Sequence, residues 1–288
     1  MKKFFKKFGS VLFCLLPVLL ALAIQFAVTI PAVMLKIFTL IAEDPDILSD
    51  IDRYINTVLT SMDGVFLSTV SAIYAVIAAL VMGFWYWKKF APKKAPRRKI
   101  GQIINPKMFA GLLALMIGMQ YLSTYIVNLV YLINPEWYKN YEELMNHMGF
   151  SDVSWVLGLY AVIIAPISEE LIFRGVTMHY AQKAMPFWIA NIFQAFLFGV
   201  FHGNMVQGVY AFVVGLFCGY VCYRGGSIYL SILFHMLFNV WGTFIPGNFL
   251  YTGDSVIIHF LMFLLTVAVA LLGFFLYSRG TEERQHPL

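Results

Sequence analysis

The chain has 288 residues, of which 60% are hydrophobic and 12% are charged, and its net charge is +5. Soluble domains are about half apolar and about a quarter charged, so this composition excludes an ordinary soluble domain. The three cysteines imply no disulfide framework, and nothing in the sequence predicts nucleic-acid binding. The mean hydropathy of +0.77 instead predicts an all-α integral membrane protein, with residues 1–288 forming a single membrane-embedded domain.

Eight apolar segments follow one another along the chain, and about 20 such residues suffice for a helix to cross a bilayer. The first begins like a secretory signal, but its apolar run continues through Ile41. That run is longer than the ~7–15 residues of a signal core, so we expect an uncleaved transmembrane helix. The sequence therefore predicts eight transmembrane helices around a water-accessible cavity, over residues 11–42, 65–87, 108–133, 153–180, 186–203, 205–223, 227–246 and 255–277.

The basic residues predict the orientation of these helices. With the N-terminus in the cytoplasm, sixteen of the twenty Lys and Arg residues fall on the cytoplasmic side, whereas eleven of the fifteen Asp and Glu residues fall outside. Cytoplasmic loops of membrane proteins carry an excess of Lys and Arg. We therefore expect a multi-pass protein with both termini in the cytoplasm, located in the plasma membrane of a bacterium.

Four charged residues lie within the predicted helices, and three of them cannot reach the membrane interface. Lys36 lies near the outer end of the first helix, so its amine can extend to the headgroups. Glu169, Glu170 and Arg174 lie deeper, where each charge costs about 2.5–3.5 kcal/mol at a helix centre. Such residues face a polar cavity or pair internally, and they indicate a functional site.

The spacing of these residues predicts different surroundings for the two acids. Glu170 and Arg174 are four residues apart, so they share a helix face and can form an ion pair. Glu169 is rotated by about 100° from Glu170, so it points elsewhere. Pro166 removes one backbone hydrogen bond, which predicts a kink that opens a polar pocket beside the acids.

Two later helices supply further polar side chains, namely His202 on the fifth and His235 with Asn239 on the seventh. Each alone is explained by interhelical hydrogen bonding. Together with the acids, these residue types suffice for hydrolysis, since a carboxylate accepts a proton from water, imidazoles position it, and an amide stabilises an oxyanion. Two histidines and a glutamate can also hold Zn²⁺.

Other protease signatures are missing from the sequence. It contains no H-E-x-x-H zinc motif, no Gly-x-Gly-Asp segment and no G-x-S-x-G turn. His147, His179 and His259 lack partners at useful spacing and are not assigned to the site. We interpret the cysteines as small packing residues, at positions Cys14, Cys218 and Cys222.

Three motifs resemble those of the CPBP (Abi) family of intramembrane proteases, which includes CAAX prenyl endopeptidases and bacteriocin-processing proteins. EELIFR (169–174) is similar to its E-E-x-x-x-R motif, FGVFH (198–202) to F-x-x-x-H, and HMLFN (235–239) to H-x-x-x-N. The motifs occur in the expected order on successive polytopic segments. They predict a motif-bearing catalytic core over residues 153–246.

The resemblance implies an intramembrane endopeptidase that cleaves a membrane-anchored or prenylated CAAX-type protein, or a peptide precursor. It implies that Glu169 activates the attacking water with help from His202, and that His235 and Asn239 stabilise the oxyanion. The second glutamate of the motif and its arginine would hold the site together. A glutamic mechanism that requires no cofactor is expected, because no helix carries a compact pair of metal ligands; a zinc mechanism stays open.

The shared site requires a minimum length of the fourth helix, and the enzyme hypothesis has two alternatives. The fourth helix has to continue to about Tyr180 for its acids to reach His202, which lies about 24 Å above the cytoplasmic end of its own helix. One rival is a non-catalytic bacteriocin self-immunity or scaffolding protein of the same fold. The other is a proton-coupled transporter, which is disfavoured because the sequence contains no repeated halves.

Overall fold

The computed structural model of the chain describes residues 2–91, 100–245 and 255–285. This part of the chain is 89% helical and contains no strand, which confirms the all-α class. Its longer helices are α1 (Lys2–Glu43), α2 (Ile51–Ser61), α3 (Gly64–Lys89), α4 (Pro106–Ile133), α5 (Pro135–His147), α6 (Trp155–Ala181), α7 (Phe187–Phe201), α8 (Met205–Gly225), α9 (Ile228–Phe244) and α10 (Val256–Gln285).

The lengths of the apolar helices revise the expectation of eight full-length spans. Within the described ranges, six helices are long and apolar enough to cross a membrane, namely α1, α3, α4, α6, α8 and α10. The other two, α7 and α9, are apolar but have only 15 and 17 residues, whereas a full crossing takes about 20. All eight predicted apolar helices are therefore present as helices. The two short ones carry the histidine motifs.

Two polar helices, α2 and α5, interrupt the apolar series near the chain's acid-rich segments. The carboxylate of Asp50 caps α2 by accepting hydrogen bonds from the backbone N–H groups of Asp52 and Arg53. Asn134 caps α5 in the same way, and Pro135 occupies its first turn. Neither helix has a buried residue. Both therefore lie on the surface.

The helix bundle has two chemically different ends. At the basic end, Lys107 pairs with Glu283, Arg224 pairs with Glu282, and Phe187 stacks on Tyr223. These pairings also explain why α10 continues to Gln285, beyond its expected end at residue 277. Lys88, Lys89, Lys183 and Arg279 lie at the same end, whereas the basic segment at residues 92–99 falls outside the described ranges.

The opposite end, which we call the acidic end, holds the loops on either side of α2 and α5. There the backbones of Gly64 and Gly149 touch, since a Cβ on Gly64 would come within 2.9 Å of the Gly149 Cα. The ring of Tyr141 on α5 meets that of Tyr210 on α8 at 6.5 Å. Successive apolar helices thus run alternately between the two ends, as expected for a polytopic protein.

Small residues attach α10 to α4. A Cβ added to Gly118 would come within 2.6 Å of the Ala270 backbone nitrogen, and one on Gly280 within 2.8 Å of the Met108 nitrogen. Close backbone approach at small residues is a typical way for membrane helices to associate. Because only 11% of the apolar window of α10 is buried, these contacts are its main attachment to the bundle.

Candidate active site

The acidic motif lies in a helix with two irregular segments. Helix α6 contains π-helical turns at Tyr160–Ile164 and Leu171–Thr177, and the α-helical segment Ala165–Glu170 lies between them. π-Turns inside α-helices often accompany functional sites. Instead of breaking the helix, Pro166 is accommodated by the first of them. The helix continues to Ala181, as the shared site demands.

The first π-turn and Pro166 together leave one backbone carbonyl without a helical partner. The N–H of Ala165 donates to the Tyr160 carbonyl, and Pro166 has no N–H to donate. The Ala161 carbonyl instead accepts a hydrogen bond from Nδ2 of Asn239 at 2.8 Å. Asn239 thereby joins α9 to α6 at the level of the pocket, and its second N–H remains for another acceptor.

Glu170 and Arg174 form the ion pair that their spacing predicts. Nη1 of Arg174 donates to Oε1 of Glu170 at 2.7 Å, and neither side chain has any solvent exposure. Nη2 donates to the Gly215 carbonyl at 3.0 Å. The guanidinium also lies over the Phe198 ring, 4.6 Å from its centroid. These contacts compensate the arginine charge, which would otherwise be very costly to bury.

His235 lies between the two adjacent acids. Its Nδ1 is 3.0 Å from Oε1 of Glu170, and its Nε2 is 3.7 Å from Oε2 of Glu169. Because the Glu170 carboxylate also accepts from Arg174, Nδ1 is the donor in this contact. The expectation that the two acids have separate surroundings therefore needs one correction, since a single imidazole approaches both of them.

Unlike Glu170, Glu169 reaches an internal cavity. Its side chain is 17% exposed, and it lines a cavity of about 710 Å³. His202, His235 and Asn239 line the same cavity. Four of the six predicted site residues therefore meet at one cavity. Glu170 and Arg174 are packed behind it and do not line it.

His202 has a defined hydrogen-bonding state at the end of α7. Its Nδ1 lies 2.8 Å from the Phe198 carbonyl, which can only accept, so Nδ1 carries the hydrogen. In the neutral imidazole, Nε2 is then the acceptor nitrogen. The unassigned histidines behave differently: His147, His179 and His259 do not line the cavity, and Nδ1 of His179 contacts the Arg174 carbonyl at 3.0 Å.

An amide pair on α7 supports the buried arginine and was not anticipated from the sequence. Nε2 of Gln194 donates to the same Gly215 carbonyl as Arg174, at 3.0 Å, and to Oδ1 of Asn191 at 2.8 Å. Nδ2 of Asn191 donates to the Leu216 carbonyl. The three-residue spacing of two amides in an apolar helix is the signal that could have indicated this pair.

Several tyrosines line the cavity, among them Tyr74, Tyr160 and Tyr210. Tyrosine is enriched at the two membrane–water interfaces, so its presence in apolar segments does not single out these three as cavity residues. Tyr141 of α5, at the acidic end, also lines the cavity. Burial raises the pKa of the Tyr141 hydroxyl, which therefore stays protonated.

The residues that could hold a metal do not form an open hydrolytic centre. In the part of the chain that the structure describes, one group of three ligand atoms lies within 4.8 Å, from Glu170, Cys218 and His235. These residues are buried, and the Glu170 carboxylate is already paired with the positively charged guanidinium of Arg174. A catalytic zinc site needs an open coordination position for water. Glu169 and His202 are not members of this group, so the donor set does not fit such a metal.

The fold and the cavity define the class of the protein: a polytopic helical membrane protein with a carboxylate, two imidazoles and an amide around an internal cavity. The family model described as type II CAAX prenyl endopeptidase Rce1-like matches residues 151–241. This match spans about a third of the chain, includes all six predicted site residues, and supports the predicted resemblance to the CPBP (CAAX protease) family. No curated protein and no solved structure matches the chain.

Proposed function

We propose that the protein is an intramembrane endopeptidase in which Glu169 is the general base. One observation carries this proposal: of two adjacent glutamates, one is neutralised by Arg174 behind the cavity, while the other reaches the cavity itself. The family match supports proteolysis of the CAAX type at the level of the family. The proposed substrate is a membrane-anchored protein or peptide precursor, and the proposed reaction is hydrolysis of one of its peptide bonds.

The proposed first step uses Glu169 as the base and His202 to orient the water. Glu169 accepts a proton from water, and the resulting hydroxide attacks the scissile carbonyl carbon. Nε2 of His202 is the acceptor nitrogen of an imidazole whose Nδ1 is occupied by the Phe198 carbonyl, so it orients the water through its second hydrogen. The proton held by Glu169 then passes to the leaving amine when the carbon–nitrogen bond breaks.

The oxyanion of the tetrahedral intermediate would be stabilised from α9. His235 is held at Nδ1 by Glu170, so it turns Nε2 towards Glu169. With a hydrogen on Nε2, this ring donates to the oxyanion. Asn239 retains one N–H after its bond to the Ala161 carbonyl. Preorganised donors of this kind contribute about 10²–10³ in rate. The proposed mechanism uses no metal ion, since the available ligands do not form an open site.

A comparison of membranes that contain wild-type protein or Glu169→Gln tests the proposal. We expect precursors to accumulate uncleaved in the variant, and purified wild-type protein to cleave those precursors in proteoliposomes while the variant does not. Wild-type cleavage by the purified variant would overturn the role of Glu169. Unchanged precursors, together with an intact complex between the variant and another membrane protein, would favour the self-immunity or scaffolding function.

A further inference from the structure

The cavity extends from the catalytic residues towards only one end of the bundle. Helices α3, α4, α8 and α9 contribute lining residues from their halves nearer the acidic end, such as Ser71, Val127 and Thr243. The α5 helix and the loop after it supply further lining residues, including Asn146 and Met148. The cavity therefore opens beside α5, at the acidic end.

The floor of the cavity lies near the middle of the bundle. Gln25, Glu169 and His235 lie near the midpoints of their helices and are its deepest lining residues. Glu169 is fourteen residues from the start of α6 at the acidic end, a depth of about 21 Å at 1.5 Å per residue.

Buried polar residues close the other side. Glu170, Arg174 and Gln194 are fully buried beneath the floor, and their hydrogen bonds join α6, α7 and α8. No residue that lines the cavity comes from the turns at the basic end, within the described ranges. Entry from that end would require this buried layer to separate.

The charges identify which side of the membrane the opening faces. The described part of the basic end carries Lys88, Lys89, Lys107, Lys183, Arg224 and Arg279. An excess of Lys and Arg marks the cytoplasmic side of a membrane protein. The opening beside α5 is then extracytoplasmic. Its lining includes the carboxylates of Glu142 and Glu169 but no Lys or Arg among the described residues, so it favours neutral or basic peptide over acidic peptide.

We infer that the site takes its substrate from the extracytoplasmic side, as a neutral or basic peptide segment that adjoins a membrane anchor. This inference rests on the proposed peptidase function, and it goes against a cytoplasmic CAAX terminus as the substrate. A segment entering beside α5 reaches Glu169 at the cavity floor without crossing the buried Glu170–Arg174 layer. Its anchor stays in the bilayer.

Cysteine labelling tests the direction of access without any need for cleavage. Asn146 is an exposed lining residue of α5, and Glu282 is exposed at the basic end. In intact cells, a membrane-impermeant maleimide should label Asn146→Cys, and it should label Glu282→Cys only after permeabilisation. Wild-type protein supplies the background, because its three cysteines are buried. Glu142→Cys, on the same helix as Asn146, provides an independent second variant.

The opposite labelling pattern would overturn the inference while leaving Glu169-dependent proteolysis intact. A second measurement tests the charge of the cavity. With Ser71→Cys, a cationic methanethiosulfonate added outside should react about tenfold faster than an anionic one, because a negative cleft concentrates cations. Equal rates, or a faster anion, would contradict the preference for basic peptide. Cleavage sites of the precursors found with Glu169→Gln should lie in extracytoplasmic segments, and cytoplasmic sites would overturn the inference.

Discussion

Nη1 of Arg174 lies 2.7 Å from Oε1 of Glu170, one helical turn away, with both side chains removed from solvent. This contact gives two identical neighbouring side chains different surroundings. Glu170 is held behind the cavity as part of a buried hydrogen-bonded layer, whereas Glu169 remains partly exposed. A rotation of one residue along the helix therefore separates an acid held in the buried layer from an acid that reaches the cavity.

Replacement of Glu169 by Gln should abolish cleavage and leave folding unchanged. The amide keeps the shape of the side chain but cannot accept the proton of water, and a general base contributes about 10²–10⁴ in rate. Cleavage of a precursor in proteoliposomes measures the effect, with thermal unfolding in detergent as the test of folding. Glu143→Gln is the matched control, because Glu143 is exposed on α5 and does not line the cavity, and it should stay within about threefold of wild type.

Single substitutions of the buried ion pair should destabilise the protein more than the double substitution. Glu170→Gln or Arg174→Met leaves an uncompensated buried charge, which costs about 3–5 kcal/mol. The double variant Glu170→Gln/Arg174→Met removes both charges and should unfold at a higher temperature than either single variant. Abundance in the membrane and the unfolding temperature measure this order. Single variants as stable as wild type would contradict the structural role of the pair.

Removal of the Asn239 amide should be less harmful when Pro166 is also replaced. Asn239→Ala leaves the Ala161 carbonyl without its donor, and an unsatisfied buried polar group costs about 1–3 kcal/mol. Pro166→Ala restores a backbone N–H on the same turn of α6 as the orphaned carbonyl. A double-mutant cycle on the free energy of unfolding should therefore show coupling between the two positions. Additive effects would contradict the link between the proline and Asn239.

Two substitutions of His202 separate its hydrogen bond to the backbone from its action in the cavity. The amide of His202→Asn can donate to the Phe198 carbonyl as Nδ1 does, but it provides no acceptor at the position of Nε2. We expect the unfolding temperature to stay close to that of wild type and the rate of cleavage to fall by at least about 10²-fold. His202→Ala should lose cleavage to a similar extent and also lower the unfolding temperature. Wild-type cleavage by His202→Asn would exclude a catalytic role for this imidazole.

The sequence predicted most of the architecture because apolar length and charge placement are local properties. All eight apolar helices appear close to their expected ranges, and the spacing of Glu170 and Arg174 predicted their contact. The division into one domain over residues 1–288, with a catalytic core at 153–246, stays a prediction. So do the catalytic roles and the absence of a cofactor.

The spacing of residues in the sequence could not predict contacts between helices that are far apart along the chain. Nothing in the separation of 65 residues between Glu170 and His235 indicates that this imidazole reaches both acids. The support that Gln194 gives to Arg174 depends on a carbonyl of a third helix, and the bond from Asn239 depends on a π-turn. Each of these features arises from how backbones pack and where their carbonyls remain unpaired.

The short length of α7 has a consequence for the lipid around the site. Its 15 residues span about 22 Å, whereas the hydrocarbon core of a bilayer is about 30 Å thick. Lipid beside the exposed Ile192 and Phe196 must therefore thin, or the helix must be flanked by deeper water. A substrate helix next to α7 would leave the hydrocarbon earlier than elsewhere, and its final turn would unwind more readily. Peptide cleavage should accordingly be faster in vesicles of short-chain lipids than in vesicles of long-chain lipids.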